Sequence, residues 1–253
     1  MIYGTNPLSP LQRLQSECAV KAPITISKED YLKAILEAQS EGQTVISSTL
    51  AHWLGVSAPA VTMALRRLKR DGYVAVKTGG IVGLTRKGRQ TAYRTARRHY
   101  LIERMLSEIF GMPWYRVHDE AERLEHAVSP AFEASLIERL GETEACPHGN
   151  FVLPESPARM RKRGLVPLFD ADLNTPLQIV SLHERDPELL LLLHRRGLAP
   201  HAPIRVRTRS QNGTLSIETP SGTTALLRPA AEKIYVRRVP EKSTQPAAIV
   251  NCG

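Results

Sequence analysis

The sequence has few of the features that mark secreted or membrane proteins. Its three cysteines are too few and too widely spaced for a disulfide framework: Cys18, Cys146 and Cys252. The longest apolar run, residues 189–193, is far too short to span a bilayer. The N-terminus has prolines and polar residues where a signal peptide needs an apolar core. These absences favour a cytoplasmic protein with no membrane partner.

The charge of the chain is strongly uneven along its length. The 253 residues carry a formal net charge of +9 at pH 7, which favours a polyanionic partner. Residues 61–100 contain eleven basic residues and one acid, Asp71, whereas residues 118–144 contain eight acids and two arginines. This separation predicts nucleic-acid binding in the first segment and cation binding in the second. Two solvated faces of opposite charge are the alternative.

Capping residues and apolar spacing predict three helices followed by a hairpin near the N-terminus. Helices are expected to begin at Ser27, at Ser47 or Ser48, and after Ser57, with Pro59 in the first turn of the third. Residues 73–76 and 81–84 are β-prone and are joined by a glycine turn. Two helices around a tight turn, followed by a hairpin, predict a winged helix-turn-helix that binds double-stranded DNA.

The third helix is the predicted recognition helix. The residues expected to enter the major groove from its N-terminal end are Ser57, Ala58, Pro59, Ala60 and Met63. They include no Arg, Asn or Gln, so apolar contacts and DNA shape are expected to supply much of the specificity. Arg66 and Arg67 on the helix and Lys77 in the wing are candidate phosphate contacts. The alternative for the two arginines is a solvated helix end that favours the helix dipole.

A helical region is predicted after the hairpin. A long helix begins at Thr85 and runs to about Ile109, a second runs from Trp114 or Tyr115 through His126, and a third begins after Ser129. Together they carry more apolar surface than one winged helix would cover. We therefore expect a homodimer, whose two-fold symmetry would match a palindromic operator.

Histidines and carboxylates are concentrated in this helical region. Glu122, Glu125 and His126 share one helical face, and His118 lies one turn before them. Two further donors, His99 and Glu103, are four residues apart on the long helix, and Asp30 lies on the first helix. Each has an ordinary alternative: a helix N-terminal carboxylate, a solvated ion pair or a structural histidine. Taken together, they favour divalent metal binding.

The remaining chain is predicted to form a linker and a small β-barrel, giving an α+β protein. Residues 141–176 are rich in proline, and short β-prone runs then alternate with turns, interrupted by one helix at residues 187–196. The predicted divisions are an extension (1–26), the DNA-binding domain (27–90), a metal-binding and dimerisation domain (91–142), the linker (143–175), the barrel (176–239) and a disordered tail (240–253).

Several motifs resemble the diphtheria-toxin-repressor family of metal-dependent transcriptional regulators. They are Glu29-Asp30-Tyr31-Leu32, the winged helix, residues 98–104, Val117-His118-Asp119-Glu120 with Glu125-His126, and Cys146-Pro147-His148-Gly149. The resemblance extends from about Ser27 to Val239. It implies a winged helix, a helical metal-binding dimerisation domain and an SH3-like C-terminal domain.

By position, the resemblance implies two metal sites in each protomer. The primary site would contain Asp30, Glu122, Glu125 and His126; the second would contain His99, Glu103 and His118, with Glu184 as a candidate ligand from the barrel. Cys146 and His148 would belong to a structural turn. Lys33 stands where some small manganese-type members have a second N-terminal carboxylate, so a closely bridged manganese pair is not expected.

The resemblance also bears on the metal. Iron-type members have Met at the position of Asp30 and Cys at that of Glu122, so carboxylates at both favour Mn²⁺. The expected function is a manganese-dependent repressor of metal-uptake genes. An Fe²⁺- or Zn²⁺-responsive repressor is the main alternative, and a winged-helix regulator that senses an organic ligand is another. An enzyme with an organic substrate is not expected, because no His-Glu-x-x-His motif occurs.

Overall fold

The computed structural model describes residues 28–141, 145–151 and 155–240. The predictions for Ser27, the N-terminal extension and residues 241–253 of the tail lie outside these ranges, as do Cys18 and Cys252. Across the described ranges, no helix combines the length and apolar character needed to cross a membrane.

The N-terminal domain is a winged helix, as the sequence predicts. Its helices are α1 (Lys28–Ser40), α2 (Ser47–Leu54) and α3 (Ala58–Arg70), and its wing consists of β1 (Val74–Val76) and β2 (Val82–Leu84). The Ser57 hydroxyl accepts the Ala60 N–H at 3.4 Å and so begins α3. Fully buried side chains such as Leu32, Leu50 and Leu68 form the core of this domain. Burying one face of each helix leaves the N-terminal end of α3 open to solvent.

A single long helix joins this domain to the next. α4 (Arg86–Arg104) begins where the Thr85 hydroxyl accepts the Gly88 N–H at 3.1 Å. Its N-terminal half contributes Ala92 to the winged-helix core, and its C-terminal half contributes Ile102 to a second core. The α-helix ends at Arg104, earlier than predicted, and the chain continues to Ile109 as a π-helical turn (Met105–Ile109).

Two shorter helices complete the helical domain: α5 (Val117–Leu124) and α6 (Pro130–Leu140). The predicted extension of α5 through His126 is wrong, because the regular helix ends at Leu124. Glu125 keeps helical dihedral angles and donates its N–H to Ala121 at 2.9 Å, whereas His126 lies in the turn that follows. Within the described chain, α6 buries only Leu136.

The segment predicted as a linker contains regular structure. Ala145 and Phe151 form a β-bridge, a short helix α7 (Pro157–Lys162) follows, and β3 (Leu165–Pro167) then pairs with the last strand of the chain. The C-terminal sheet therefore begins at Leu165, ahead of the boundary at residue 176 that the proline content suggests. The proline content did not reveal this edge strand, which forms through a pairing with a distant part of the chain.

The C-terminal domain is a six-stranded antiparallel sheet with the SH3-like arrangement that the sequence predicts. After β3, its strands are β4 (Leu177–Leu182), β5 (Pro203–Arg209), β6 (Thr214–Thr219), β7 (Gly222–Leu227) and β8 (Ile234–Arg238). The strand order is β3-β8-β4-β5-β6-β7, with α8 (Pro187–Arg195) after β4 and the short α9 (Arg228–Ala231) before β8. Arg185, just after β4, pairs with Glu37 on α1 and lies 4.3 Å from the centre of the Trp53 ring. These contacts hold the residues just after β4, which include Glu184, against the DNA-binding domain.

Candidate metal centres

Three potential ligands meet between the DNA-binding and helical domains: Asp30 from α1, and Glu125 and His126 from the end of α5. We call them the interdomain group. One ligand atom from each lies within 4.8 Å of the others. His126 Nε2 is 2.7 Å from Asp30 Oδ1 and 3.5 Å from Glu125 Oε1. The termination of α5 at Leu124 allows His126 to turn towards α1, so this group depends on a turn that helical spacing did not predict.

Two neighbouring residues modify this group. Glu29 Oε2 lies 3.0 Å from His126 Nδ1, which orients the imidazole and was not foreseen from the sequence. Glu122 is half exposed, and its Oε1 lies 3.4 Å from Lys33 Nζ and 3.8 Å from His118 Nε2. Within the described part of the chain it does not join the ligand atoms that come together at Asp30. The assignment of Glu122 as a primary ligand therefore stays a prediction.

A second set of ligands is enclosed between α4, α5 and the C-terminal domain. His99, Glu103, His118 and Glu184 each offer a ligand atom within 4.8 Å of the others, and all four are buried. His99 Nε2 is 3.0 Å from both Glu103 Oε1 and His118 Nδ1. His118 Nδ1 is 4.0 Å from Glu184 Oε1. The structure thus brings together the three residues predicted for a second site and the candidate ligand from the C-terminal domain.

Cys146 and His148 join the same centre, although the sequence assigned them to a structural turn. His148 Nδ1 lies 3.5 Å from Glu103 Oε1 and from Glu184 Oε2, and Cys146 Sγ lies 3.5 Å from Glu184 Oε2. Glu103 and Glu184 are therefore shared with the set described above. We call the six residues the buried group. The Cys-x-His spacing was the available signal, but it contains no information about the tertiary packing that brings these side chains to Glu103.

The turn that carries Cys146 and His148 is held closely against β4. Leu182 donates its N–H to the His148 carbonyl at 3.0 Å. Gly149 has φ +83°, and a Cβ at this position would lie 1.7 Å from the Val180 carbonyl oxygen. Only glycine allows the two backbones to approach this closely. This contact positions the His148 ring in the buried group.

The electrostatics of the buried group favour a cation. Burial alone would raise the pKa of Glu103, but the adjacent His148 and His99 hold it well below its usual range. Burial and the charge of Lys33 lower the pKa of His99, yet Glu103 and Glu125 together raise it to about 9. Burial, followed by the negative charge of Glu103, raises the pKa of the Cys146 thiol. Without metal, a proton on His99 therefore compensates negative charge on the buried carboxylates.

Both groups fit a divalent transition metal. In the described residues, Glu103 Oε2 and His148 Nε2 are buried without a hydrogen-bond partner, and unpartnered buried polar atoms are uncommon. The interdomain group offers carboxylate oxygen and imidazole nitrogen, while the buried group adds a thiol sulfur. These are the donors that first-row transition metals bind.

The predicted DNA-contacting residues all lie on the solvent-exposed side of the winged helix. They are Ser57, Ala58, Pro59, Ala60, Met63, Arg66, Arg67 and Lys77. Met63 is 50% exposed, whereas Val61, Leu65 and Leu68 of the same helix are buried. The surface is thus available to a major groove.

Three protein-family models match successive parts of the chain. Residues 24–80 match the iron-dependent repressor N-terminal DNA-binding domain. Residues 85–152 match the iron-dependent repressor metal-binding and dimerisation domain, and residues 166–238 match the FeoA domain.

The names of similar proteins mention different metals. The iron-dependent repressor IdeR of Mycobacterium tuberculosis is 32% identical over 219 residues, covering 81% of this chain and 90% of the relative. The diphtheria toxin repressor of Corynebacterium jeikeium is 30% identical, covering 75% of each chain. A manganese-dependent transcriptional repressor solved with manganese is 32% identical, with a TM-score of 0.74, and covers 84% of this chain and 100% of that one. ScaR with bound Zn²⁺ is 28% identical, with a TM-score of 0.70, and covers 85% of this chain and 100% of that one.

Proposed function

This chain belongs to the diphtheria-toxin-repressor family of metal-dependent transcriptional repressors, and we propose that Mn²⁺ is the metal to which it responds. It is a DNA-binding repressor rather than an enzyme. We further propose that it acts as a homodimer on a palindromic operator and represses genes for metal uptake. Because its proposed target is chromosomal DNA, the cytoplasm remains its proposed location.

The interdomain group is the observation that carries the manganese proposal. Asp30 and Glu125 offer hard carboxylate oxygens, His126 offers an imidazole nitrogen, and the group contains no sulfur. Hard oxygen donors lower the preference for iron, nickel or zinc relative to manganese. Overall similarity does not discriminate, since the iron-dependent and manganese-dependent relatives are equally identical to this chain.

We propose that the buried group binds a second ion, with ligands drawn from His99, Glu103, His118, Cys146, His148 and Glu184. Such an ion would compete with protons for the imidazole nitrogens and the thiol sulfur. A zinc- or iron-responsive repressor is the second candidate. The Cys146 sulfur favours it, because a soft thiolate ligand suits these metals better than manganese.

The position of the interdomain group supports a coupling between metal binding and DNA binding. Asp30 is on α1 of the DNA-binding domain, whereas Glu125 and His126 belong to the helical domain. Asp30, Glu125 and His126 would hold a divalent ion there, and the ion would supply the positive charge that these carboxylates and the imidazole share. Shared ligands therefore restrict the angle between the domains, and DNA affinity rises by as much as the metal prefers the DNA-competent arrangement.

The exposed apolar surface of the helical domain supports the homodimer. Phe110 is 70% exposed, Phe132 45% and Ile109 39%. An eleven-residue helix that buries only Leu136 needs a further surface to cover its apolar residues. A second copy packed there would orient two recognition helices about a two-fold axis.

The decisive test is metal-dependent operator binding by the wild-type protein and the Asp30→Ala variant. A DNA ligand selected from random duplexes in the presence of Mn²⁺ would be used in fluorescence anisotropy at fixed salt, with Mn²⁺, Fe²⁺ and Zn²⁺ titrated separately. We expect Mn²⁺ to activate the wild-type protein and Asp30→Ala to lose that activation. Asp172→Ala, an exposed carboxylate in the C-terminal domain, is the matched control. Equal Mn²⁺ activation of wild type and Asp30→Ala would reject the coupling, whereas activation of the wild type only by Zn²⁺ or Fe²⁺ would reject manganese.

A further inference from the structure

Lys33 is a buried lysine on α1, only 4% exposed. Lysine is rarely buried unless its ammonium group is paired. Here Nζ donates to both carboxylate oxygens of Glu125 at 2.8 Å, and Glu122 Oε1 lies 3.4 Å away. His99 Nδ1 is also 3.4 Å from Nζ. Two carboxylates and an imidazole nitrogen therefore surround a positive charge, which is the environment that a metal ion requires.

The ammonium group lies between the two metal groups. Glu125 Oε1 is 3.5 Å from His126 Nε2 in the interdomain group, while Glu125 Oε2 is 2.6 Å from His99 Nδ1. His99 in turn reaches the buried group through Nε2, 3.0 Å from Glu103 Oε1. The Glu125 carboxylate thus contacts both His126 and His99. Lys33 Nζ lies on the side of this carboxylate where it can bind both oxygens.

We propose that Lys33 is a tethered cation that takes the place of a metal ion between the two groups. It excludes a third ion that Glu122, Glu125 and His99 would bind together, and it links α1 to the helical domain when no metal is bound. The exclusion of an ion rests on the proposed metal binding. The link between α1 and the helical domain depends only on the contacts of Lys33 and applies to the metal-free protein.

The contacts give the physical reason for both effects. A divalent ion on the same face of Glu125 would lie within a few ångströms of the ammonium group, in a buried place where like charges are poorly screened. Without metal, removal of the ammonium would leave His99 as the nearest remaining partner of the buried Glu125. Lys33 therefore keeps the ions of the interdomain group and the buried group apart. In the metal-free protein it preserves part of the contact between α1 and the helical domain.

The metal arm of the test compares wild type, Lys33→Glu and Lys28→Met. Lys28 lies on the same helix but is exposed, and it pairs with Asp71 outside both groups. Bound Mn²⁺ would be counted by equilibrium dialysis with elemental analysis, and its electron paramagnetic resonance spectrum recorded. We expect two isolated ions per protomer in wild type and Lys28→Met. Lys33→Glu should bind about one more and show an exchange-coupled pair, since metals that share a carboxylate lie about 3.5–4 Å apart.

The metal-free arm uses Lys33→Met, which keeps the apolar stem and removes the charge. Hydrogen exchange of α1 amides would be measured in a chelator, and we expect exchange at least about tenfold faster than in wild type or Lys28→Met. Unchanged exchange would overturn the link between domains. An unchanged ion count in Lys33→Glu, or a coupled pair in wild type, would overturn the exclusion. If wild type bound no Mn²⁺, the proposed manganese function would fail, and the metal-free arm would still decide the role of Lys33.

Discussion

Replacing Glu103 with glutamine should change the titration of His99 in the metal-free protein. Glu103 is fully buried and contacts three imidazoles, those of His99, His118 and His148. Burial and Lys33 lower the pKa of His99, but Glu103 and Glu125 raise it to about 9 from an ordinary value of 6.5. One pKa unit corresponds to about 1.4 kcal/mol, so the difference between these two pKa values corresponds to about 3 kcal/mol favouring the folded protein with His99 protonated.

The sign of the effect follows from the raised pKa. Because His99 binds its proton more tightly in the folded protein, its contribution is complete below pH 6.5 and disappears as the pH rises through about 9. Metal-free wild type should therefore become less stable across this window. Glu103→Gln should have a lower His99 pKa and a flatter stability profile, with the largest loss at the acidic end of the window.

Nuclear magnetic resonance titration of the imidazole protons would measure the pKa of His99 directly. Urea unfolding in a chelator at several pH values would measure the stability. Glu188→Gln, an exposed carboxylate on α8, is the control and should reproduce wild type. A His99 pKa near 6.5 in wild type, or the same value in wild type and Glu103→Gln, would refute the reasoning. In the wild type, Mn²⁺ affinity of the buried group should also fall as the pH is lowered, because protons compete for the same nitrogen atoms.

Two further predictions concern the dimer and the DNA surface. Phe132→Glu should weaken dimerisation at least about tenfold, measured by analytical ultracentrifugation, because it places a charge on an apolar contact. Leu173→Glu, equally exposed but in the C-terminal domain, should remain dimeric, and an unchanged Phe132→Glu dimer would argue for a different interface. Arg66→Ala should weaken operator binding and reduce the slope of log affinity against log salt by about 0.9, the amount expected for one phosphate contact. Arg195→Ala, exposed on α8, is the control; an unchanged slope for Arg66→Ala would indicate a solvated helix end.

Helix boundaries defined by a local chemical signal were predicted well. Ser57, Thr85 and Ser129 each accept an N–H three residues later, as their positions before apolar repeats suggested. The α5 terminus was missed because Glu125 retains helical dihedral angles while His126 turns away to contact α1. The strand at Leu165 was missed because its partner, β8, is about seventy residues later in the chain. Local propensity contains no information about either contact.

The sequence alone determined which candidate metal ligands the chain contains and that a winged helix lies beside them. Helical spacing grouped His118, Glu122, Glu125 and His126, and the capping and turn residues defined a winged helix beside them. These properties are local, since they depend on residues within one or two turns of each other. The match to the family and to its domain order is also a property of the linear sequence.

Tertiary structure decided how the candidate ligands are distributed between the interdomain group and the buried group. Packing against β4 brought Cys146 and His148 to Glu103, and the bend after α5 brought His126 to Asp30, while Glu122 remained beside Lys33. Spacing cannot reveal such contacts, because each joins residues from separate elements whose approach depends on the cores between them. The buried ammonium of Lys33 is the clearest case: in sequence it is one lysine in a charged helix, and only the fold surrounds it with ligands.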